Sequence, residues 1–182
     1  MTWLPEAVKG HFYKLYLIED IFSRFPVGWE VHAEETGELA ADLVQRAVLS
    51  QRCAAQPLVL HADNGAPMKR YSLKAKLEAL GIIASHSRPR VSTDNPFSES
   101  LFRTLKYWPK WPRKGFATIT LARQWVARFI DWYSNEHRHS GIRDKIKHYC
   151  SAGTWCIRPL ALPTLSAGAV RHATGRGSIG CN

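Results

Sequence analysis

The sequence predicts an α/β fold, a mixed sheet flanked by helices. Short apolar runs bounded by turn residues alternate with segments whose apolar residues recur at helical spacing. Through residue 85 the predicted order is β-β-α-β-α-β, the pattern of a sheet with helices packed on it. The chain has 182 residues, 45% of them hydrophobic, which suits one domain with a sizeable core.

Each predicted element has a local justification. Four apolar runs predict strands: residues 12–18, 25–31, 58–61 and 82–85. The first two form a hairpin around the turn "EDIFSR". Four periodic segments predict helices: residues 37–49, 73–80, 96–107 and 118–136. Thr36, Ser72 and Asn95 suit the caps of the first three, and Pro96 suits a first helical position.

The last predicted helix has the strongest apolar stripe. Its expected buried face comprises Leu121, Trp125, Val126, Phe129, Trp132 and Tyr133. Beyond residue 143 the character of the sequence changes. Residues 144–182 contain one acid and five of the twelve glycines, without a sustained period. We therefore expect a folded domain over residues 1–143 and a poorly ordered tail over residues 144–182.

The charge distribution favours a nucleic-acid partner. The formal net charge is +10 and the sequence pI is about 9.7. Residues 19–42 hold seven acids, whereas residues 69–90 and 103–143 are rich in Lys and Arg. The basic segments therefore flank the stretches around Asp63 and Glu99.

Composition also argues against two other classes. No apolar run approaches the roughly 20 residues of a membrane span, and no secretory pattern starts the chain. We expect a cytoplasmic protein without a membrane partner. The four cysteines match no zinc or redox spacing, so reduced thiols are expected: Cys53, Cys150, Cys156 and Cys181.

Two acids are candidate metal ligands. Asp63 follows a predicted buried strand, where α/β sheets commonly place ligand sites. Glu99 lies in the first turn of a predicted helix, and thirty-five residues separate it from Asp63. Mg²⁺ prefers such carboxylate oxygens. Arg103 and Lys106 share a helical face with Glu99, which suits metal at one end and DNA backbone along the helix.

Each of these residues also has a structural interpretation. "DNG" is a common turn that Asp63 can serve, and an acid in a first helical turn favours the helix dipole. Glu99 and Arg103 could form an ordinary surface pair. The spacing of the two acids and their basic flanks together favour the metal site.

The combination resembles a known family. "HADNG" (61–65), the gap of 35 residues to Glu99 and Lys106 seven residues later resemble a DD(35)E core with its trailing basic residue. "LYLIEDIFSR" (15–24), "VGWEVH" (27–32), "SRPRVSTDNPFSESLFRTLKY" (87–107) and "WYSNEHRHSGI" (132–142) agree. Residues 1–143 are thus similar to the integrase-like catalytic domain of bacterial transposases of the insertion-sequence-three type, which are related to retroviral integrases.

The resemblance implies a ribonuclease-H-like fold and a set of roles. It implies cleavage at transposon ends and strand transfer into target DNA, with Mg²⁺ or Mn²⁺. Asp63 and Glu99 match the second and third catalytic, metal-binding acids. Lys106 matches a DNA-contacting residue, and the neighbouring Arg103, Arg88 and Arg90 are further candidate DNA contacts. Family members work as multimers, so a homo-oligomer or assembly with a full-length transposase is expected.

The first acid of the family has no match. It lies in a "W-D-I-T" type stretch, and since Thr2 matches the family Thr, the Asp would immediately precede Met1. Asp20 is a tempting substitute, but it belongs to the turn after the next strand. We therefore expect the first central strand to be largely missing, which exposes a sheet edge. The chain is expected to be an inactive fragment, with a tail that has left the family's reading frame.

Two alternative functions stay open at this point. One is a ribonuclease-H-like nuclease that hydrolyses without strand transfer. The other is a non-catalytic DNA-binding remnant whose affinity falls steeply with salt. The loop "WPKWPRKG" (108–115) and "EHRHSGIR" (136–143) are its candidate contacts, although their aromatic residues suit the core equally well.

Overall fold

The computed structural model describes residues 1–54, 57–63, 70–88 and 95–138. The elements in this part of the chain are β1 (Thr2–Pro5), β2 (Phe12–Glu19), β3 (Pro26–His32), α1 (Gly37–Ser50), β4 (Leu58–Ala62), α2 (Tyr71–Ala79), β5 (Ile82–His86), α3 (Pro96–Tyr107) and α4 (Ile119–Asn135). Every strand and helix predicted from periodicity is present, with ends shifted by at most two residues. The expected core boundary at residue 143 and the tail lie outside the described residues.

The strands form two small sheets. β2 pairs antiparallel with both β1 and β3, so the predicted hairpin is confirmed. β4 pairs in parallel with β5. Within the described residues β1 and β4 do not pair, which leaves one sheet of order β1-β2-β3 and another of β4-β5. β1 has four residues.

Two apolar clusters hold the sheets and helices together. The first packs α3 and α4 on one face of the β1-β2-β3 sheet around Leu4, Leu15 and Phe129, all fully buried. The second joins α1 and α2 to β4 and β5. Gly28 of β3 lets α1 approach closely, since a Cβ there would lie 3.3 Å from the Ala47 Cβ.

The buried face of α4 differs from the prediction at its start. Trp125, Val126, Phe129 and Tyr133 are buried as expected. Leu121 is 46% exposed, so its predicted burial is wrong, and Ala122 is fully buried instead. The buried positions therefore follow the helical spacing that begins at Ala122. Leu121, one residue earlier, lies outside this buried face.

The caps agree with the sequence in part. The Thr36 Oγ1 accepts a hydrogen bond from the Leu39 N–H at 3.2 Å, as predicted. The predicted Ser72 cap is wrong, because α2 begins at Tyr71 and Arg70 occupies the cap position. Asn95 stands at the cap of α3 with Pro96 beginning the helix, but the Asn95 side chain makes no capping bond. None of the described helices has the length and apolar character needed to cross a membrane.

Candidate metal and DNA site

Asp63 projects from a strand end that side chains hold in place. It directly follows β4 and is exposed. The preceding His61 lies between two serines, with its Nδ1 3.0 Å from the Ser85 Oγ and its Nε2 3.3 Å from the Ser87 Oγ. The Ser87 N–H also donates to the Ala62 carbonyl at 3.1 Å. His61 therefore fastens β4 to β5 and fixes where Asp63 leaves the sheet.

The helix α3 presents Glu99 in its exposed first turn. The Glu99 N–H donates to the Asn95 carbonyl at 3.3 Å, which closes that turn. Leu101 and Leu105 are fully buried and pack the helix on the first apolar cluster. This packing turns Glu99, Arg103 and Lys106 to solvent on one face, as the spacing predicts.

The surface-pair interpretation of Glu99 and Arg103 is not supported. The ion pairs among the described residues both end on Glu30, with Arg46 and with His32. The Arg103 guanidinium lies 5.8 Å from the ring centroid of Tyr107 instead. The carboxylate of Glu99 is therefore not tied to the nearest base on its helix.

One cavity of about 350 Å³ brings the two acidic segments together. Asp63 lines it, as do Asn95, Phe97 and Ser98 at the start of α3. Most of the wall is apolar and comes from β2, α1 and β4. The end of β4 and the first turn of α3, where Glu99 lies, therefore meet around a shared opening.

Met1 lines the same cavity. Burial lowers the pKa of the Met1 amino group, and the carboxylates of Asp63 and Glu35 oppose that shift. Asp63 is therefore near enough for its charge to act on this amine. The oxygen donors of Asp63 and Glu99 suit Mg²⁺. Within the described part of the chain, however, no three His, Cys, Asp or Glu side chains gather closely enough to hold a metal ion.

Asp20 serves its own turn, as the sequence position suggested. Its carboxylate accepts bonds from the N–H groups of Phe22 and Ser23 at 3.3 and 3.1 Å, and from the Ser23 hydroxyl at 2.5 Å. The side chain is buried. This turn holds Arg24 in a left-handed conformation, with φ at 62°. Asp20 also lines the cavity that Asp63 lines. That it does not replace the first acid stays a prediction.

A buried pair near the cavity was not predicted from the sequence. The Tyr133 hydroxyl donates to the Glu19 carboxylate at 3.1 Å. Burial raises the pKa of Glu19 to about 7, although the bond from Tyr133 and the charge of Arg24 act against the rise. Burial and the Glu19 carboxylate also raise the pKa of Tyr133. One indication of this pair is present in the sequence, namely that the charged Glu19 ends the apolar run "FYKLYLIE".

The remaining predicted DNA contacts lie just after β5, in the loop "WPKWPRKG" and in "EHRHSGIR", of which residues 139–143 lie outside the described residues. Arg88 is exposed just after β5, and Arg90 lies outside the described residues. The aromatic residues of "WPKWPRKG" belong to the core, where Trp108 is buried and Trp111 contacts Trp125 with centroids 5.5 Å apart. The charged residues of that loop are exposed: Lys110, Arg113 and Lys114.

Comparison with known families decides the assignment. The family described as the integrase core domain matches residues 1–92, just over half of the chain. The chain belongs to the integrase core family. A second integrase core domain family matches residues 80–145. The two matches together span the cavity, Asp63 and the whole of α3.

Several curated proteins that the chain resembles are transposases. The chain is 31% identical to the transposase for insertion sequence element IS904 of Lactococcus lactis subsp. lactis (strain IL1403), over 78% of this chain and 55% of the relative. It is 28% identical to the transposase for IS629 of Shigella sonnei, over 74% and 42%. It is 30% identical to transposase InsF for insertion sequence IS3A of Escherichia coli (strain K12), over 50% and 32%. The chain thus spans about half or less of the length of these relatives, and the resemblance to insertion-sequence transposases is confirmed.

A solved structure supports the integrase core fold. The chain matches a chain in the cryoEM structure of the simian T-cell lymphotropic virus intasome in complex with PP2A regulatory subunit B56 gamma. The TM-score is 0.58 at 15% identity, and the match covers 80% of this chain and 50% of that one. At this identity the likeness concerns the fold, and it confirms the predicted ribonuclease-H-like α/β architecture.

Proposed function

We propose that this chain is the catalytic core of an insertion-sequence transposase, an inactive fragment by itself that still binds DNA. In this proposal Asp63 and Glu99 hold a divalent cation, Mg²⁺ or Mn²⁺. Arg103 and Lys106 contact the phosphate backbone along α3, with Arg88 and Arg90 on the flank. The exposed acid-and-base face of α3, beside the cavity that Asp63 lines, is the observation that supports the proposal most directly.

The chemistry follows from what these residues offer. When bound, the metal would activate water or a sugar hydroxyl against a phosphodiester. Asp63 and Glu99 supply two hard oxygen donors, so water and phosphate oxygens would complete the coordination. With two carboxylates we expect weak metal binding. That the chain alone is an inactive fragment stays a prediction.

The partners proposed are transposon ends and target DNA. Copies of the chain, or a full-length transposase, are the proposed protein partners. The cytoplasm is the proposed location, as expected for an enzyme that acts on bacterial DNA.

Metal binding tests the two acids directly. Titration of the chain with Mn²⁺, followed by electron paramagnetic resonance of the free ion, should show one weak site. Asp63→Asn and Glu99→Gln should each lower the affinity at least tenfold, because a charged oxygen ligand is lost. Glu78→Gln removes an exposed acid of α2 and should leave the titration unchanged. A site that survives both substitutions at Asp63 and Glu99 would rule out this ligand pair.

Joining of labelled DNA ends separates the transposase from the alternatives. Metal-dependent joining to target DNA identifies a transposase, and it would contradict the predicted inactivity of the chain. Cutting without joining favours a ribonuclease-H-like nuclease. Salt-sensitive binding without cutting favours a DNA-binding remnant, and it is the result we expect for the chain alone.

A further inference from the structure

An aromatic pair lies on the β1-β2 hairpin, outside the site described above, with Trp3 exposed and Phe12 half-buried. Thr2 and Leu4 point into the core, so the strand alternation turns Trp3 to the other face of the sheet. Trp3 is 52% exposed, and its ring centroid lies 5.5 Å from that of Phe12. Two neighbouring rings thus form an apolar surface next to solvent. We call Trp3, Phe12 and Lys14 the hairpin platform.

A cation completes the hairpin platform. Lys14 pairs with Trp3 across the two strands, and its Nζ lies 4.6 Å from the Trp3 ring centroid and 5.9 Å from that of Phe12. Glu30, the acid of the adjoining strand β3, is already engaged, because it pairs with Arg46 and His32. Among the described residues Lys14 forms no ion pair, and its Nζ stays beside the two rings.

The surroundings of the platform are basic as well. The turn that links β1 to β2 closes through the Glu6 N–H and the His11 carbonyl at 3.0 Å, and it exposes Lys9 and His11. The Phe116 N–H donates to the Pro5 carbonyl at 2.9 Å, which attaches the loop with exposed Arg113 and Lys114 to the end of β1. The hairpin and this loop thus expose three cations, Lys9, Arg113 and Lys114, against the half-buried acid Glu6 of the same turn.

We propose that the hairpin platform stacks unpaired bases of single-stranded DNA. An exposed ring with an adjacent cation offers what such bases need, a flat π surface and a countercharge for the phosphate. Duplex DNA keeps its bases stacked internally, so the platform distinguishes frayed or single-stranded ends from paired DNA. Trp3 lies two residues after Met1, and Met1 lines the same cavity as Asp63. The inference rests on the proposed function only in taking DNA as the ligand.

Fluorescence anisotropy with a labelled oligothymidylate and a duplex of equal phosphate number tests the inference. Trp3→Ala should weaken oligothymidylate binding roughly tenfold, as expected when one base loses its stacking partner. Duplex affinity should be unchanged, and so should the salt dependence of both, because no charge is removed. Trp3→Phe keeps a ring and should restore most of the affinity.

Tyr71→Ala provides the matched control. Tyr71 is an aromatic residue of α2 that is 84% exposed, and its loss should affect binding of neither DNA.

Unchanged oligothymidylate binding by Trp3→Ala would overturn the inference. So would an equal loss for both DNAs, or a concentration-dependent self-association that Trp3→Ala abolishes, since the platform would then bind a second copy. If the unmodified chain binds neither DNA, the proposed function is overturned too, whereas duplex binding with no effect of Trp3→Ala overturns the stacking alone.

Discussion

Glu19 carries a carboxyl group whose protonation is linked to folding. It ends β2 beside Tyr133, and burial raises its pKa from 4.5 to about 7. In the unfolded chain the carboxyl returns to its ordinary pKa near 4.5. Between these values the unfolded chain has lost the proton that the folded chain still holds. The contribution of Glu19 to stability is therefore fully present below about pH 4.5 and is lost as the pH rises through 7.

Glu19→Gln tests this linkage, because glutamine does not titrate. The variant should gain stability relative to the unmodified chain as the pH rises from 5 to 8, by on the order of 2 kcal/mol. Urea unfolding at a series of pH values measures the difference, and other titrating groups cancel in the comparison. A difference that stays constant across this range would mean that the folded-state pKa of Glu19 is not raised.

Thr36 and Asn95 were both predicted as helix caps, but only the Thr36 side chain makes a capping hydrogen bond. Thr36→Ala should lower the free energy of unfolding by about 1 kcal/mol, because the bond to the Leu39 N–H is lost. Thr36→Ser should retain most of it. Asn95→Ala should cost clearly less, because its side chain makes no capping bond. Thermal or urea unfolding of the three variants measures this, and equal losses at the two sites would contradict the assigned cap geometry.

The elements themselves were predictable because burial of one face imposes a period on the sequence. That period located all four helices and the strands from β2 to β5. The spacing of Asp63 and Glu99 suggested a metal site, and their role as metal ligands stays a prediction. Details that depend on distant partners were not predictable. The Glu19 carboxyl meets a hydroxyl 114 residues away, and the burial of Trp108 depends on packing against α4. Local sequence also could not tell whether the tryptophans beside basic residues lie in the core or on the surface.

The whole molecule is basic, so DNA affinity could follow from total charge or from the α3 face. The net charge is +10. Arg103 and Lys106 are both exposed on α3 beside Glu99, and the proposed function places the phosphate backbone there. If the two cations make individual phosphate contacts, their loss should reduce the release of counterions as well as the affinity. Charge elsewhere should act only through the weaker, screened field of the molecule.

A pair of double variants distinguishes these possibilities at equal net charge. Arg103→Ala with Lys106→Ala should lower duplex affinity and reduce the slope of log affinity against log salt by about 2. Lys74→Ala with Arg128→Ala removes the same charge from exposed positions on α2 and α4 and should leave the slope almost unchanged. Anisotropy titrations over a range of KCl concentrations give both slopes. Equal reductions of the slope in the two double variants would mean that total charge determines binding. The proposal that α3 contacts the DNA backbone would then be wrong.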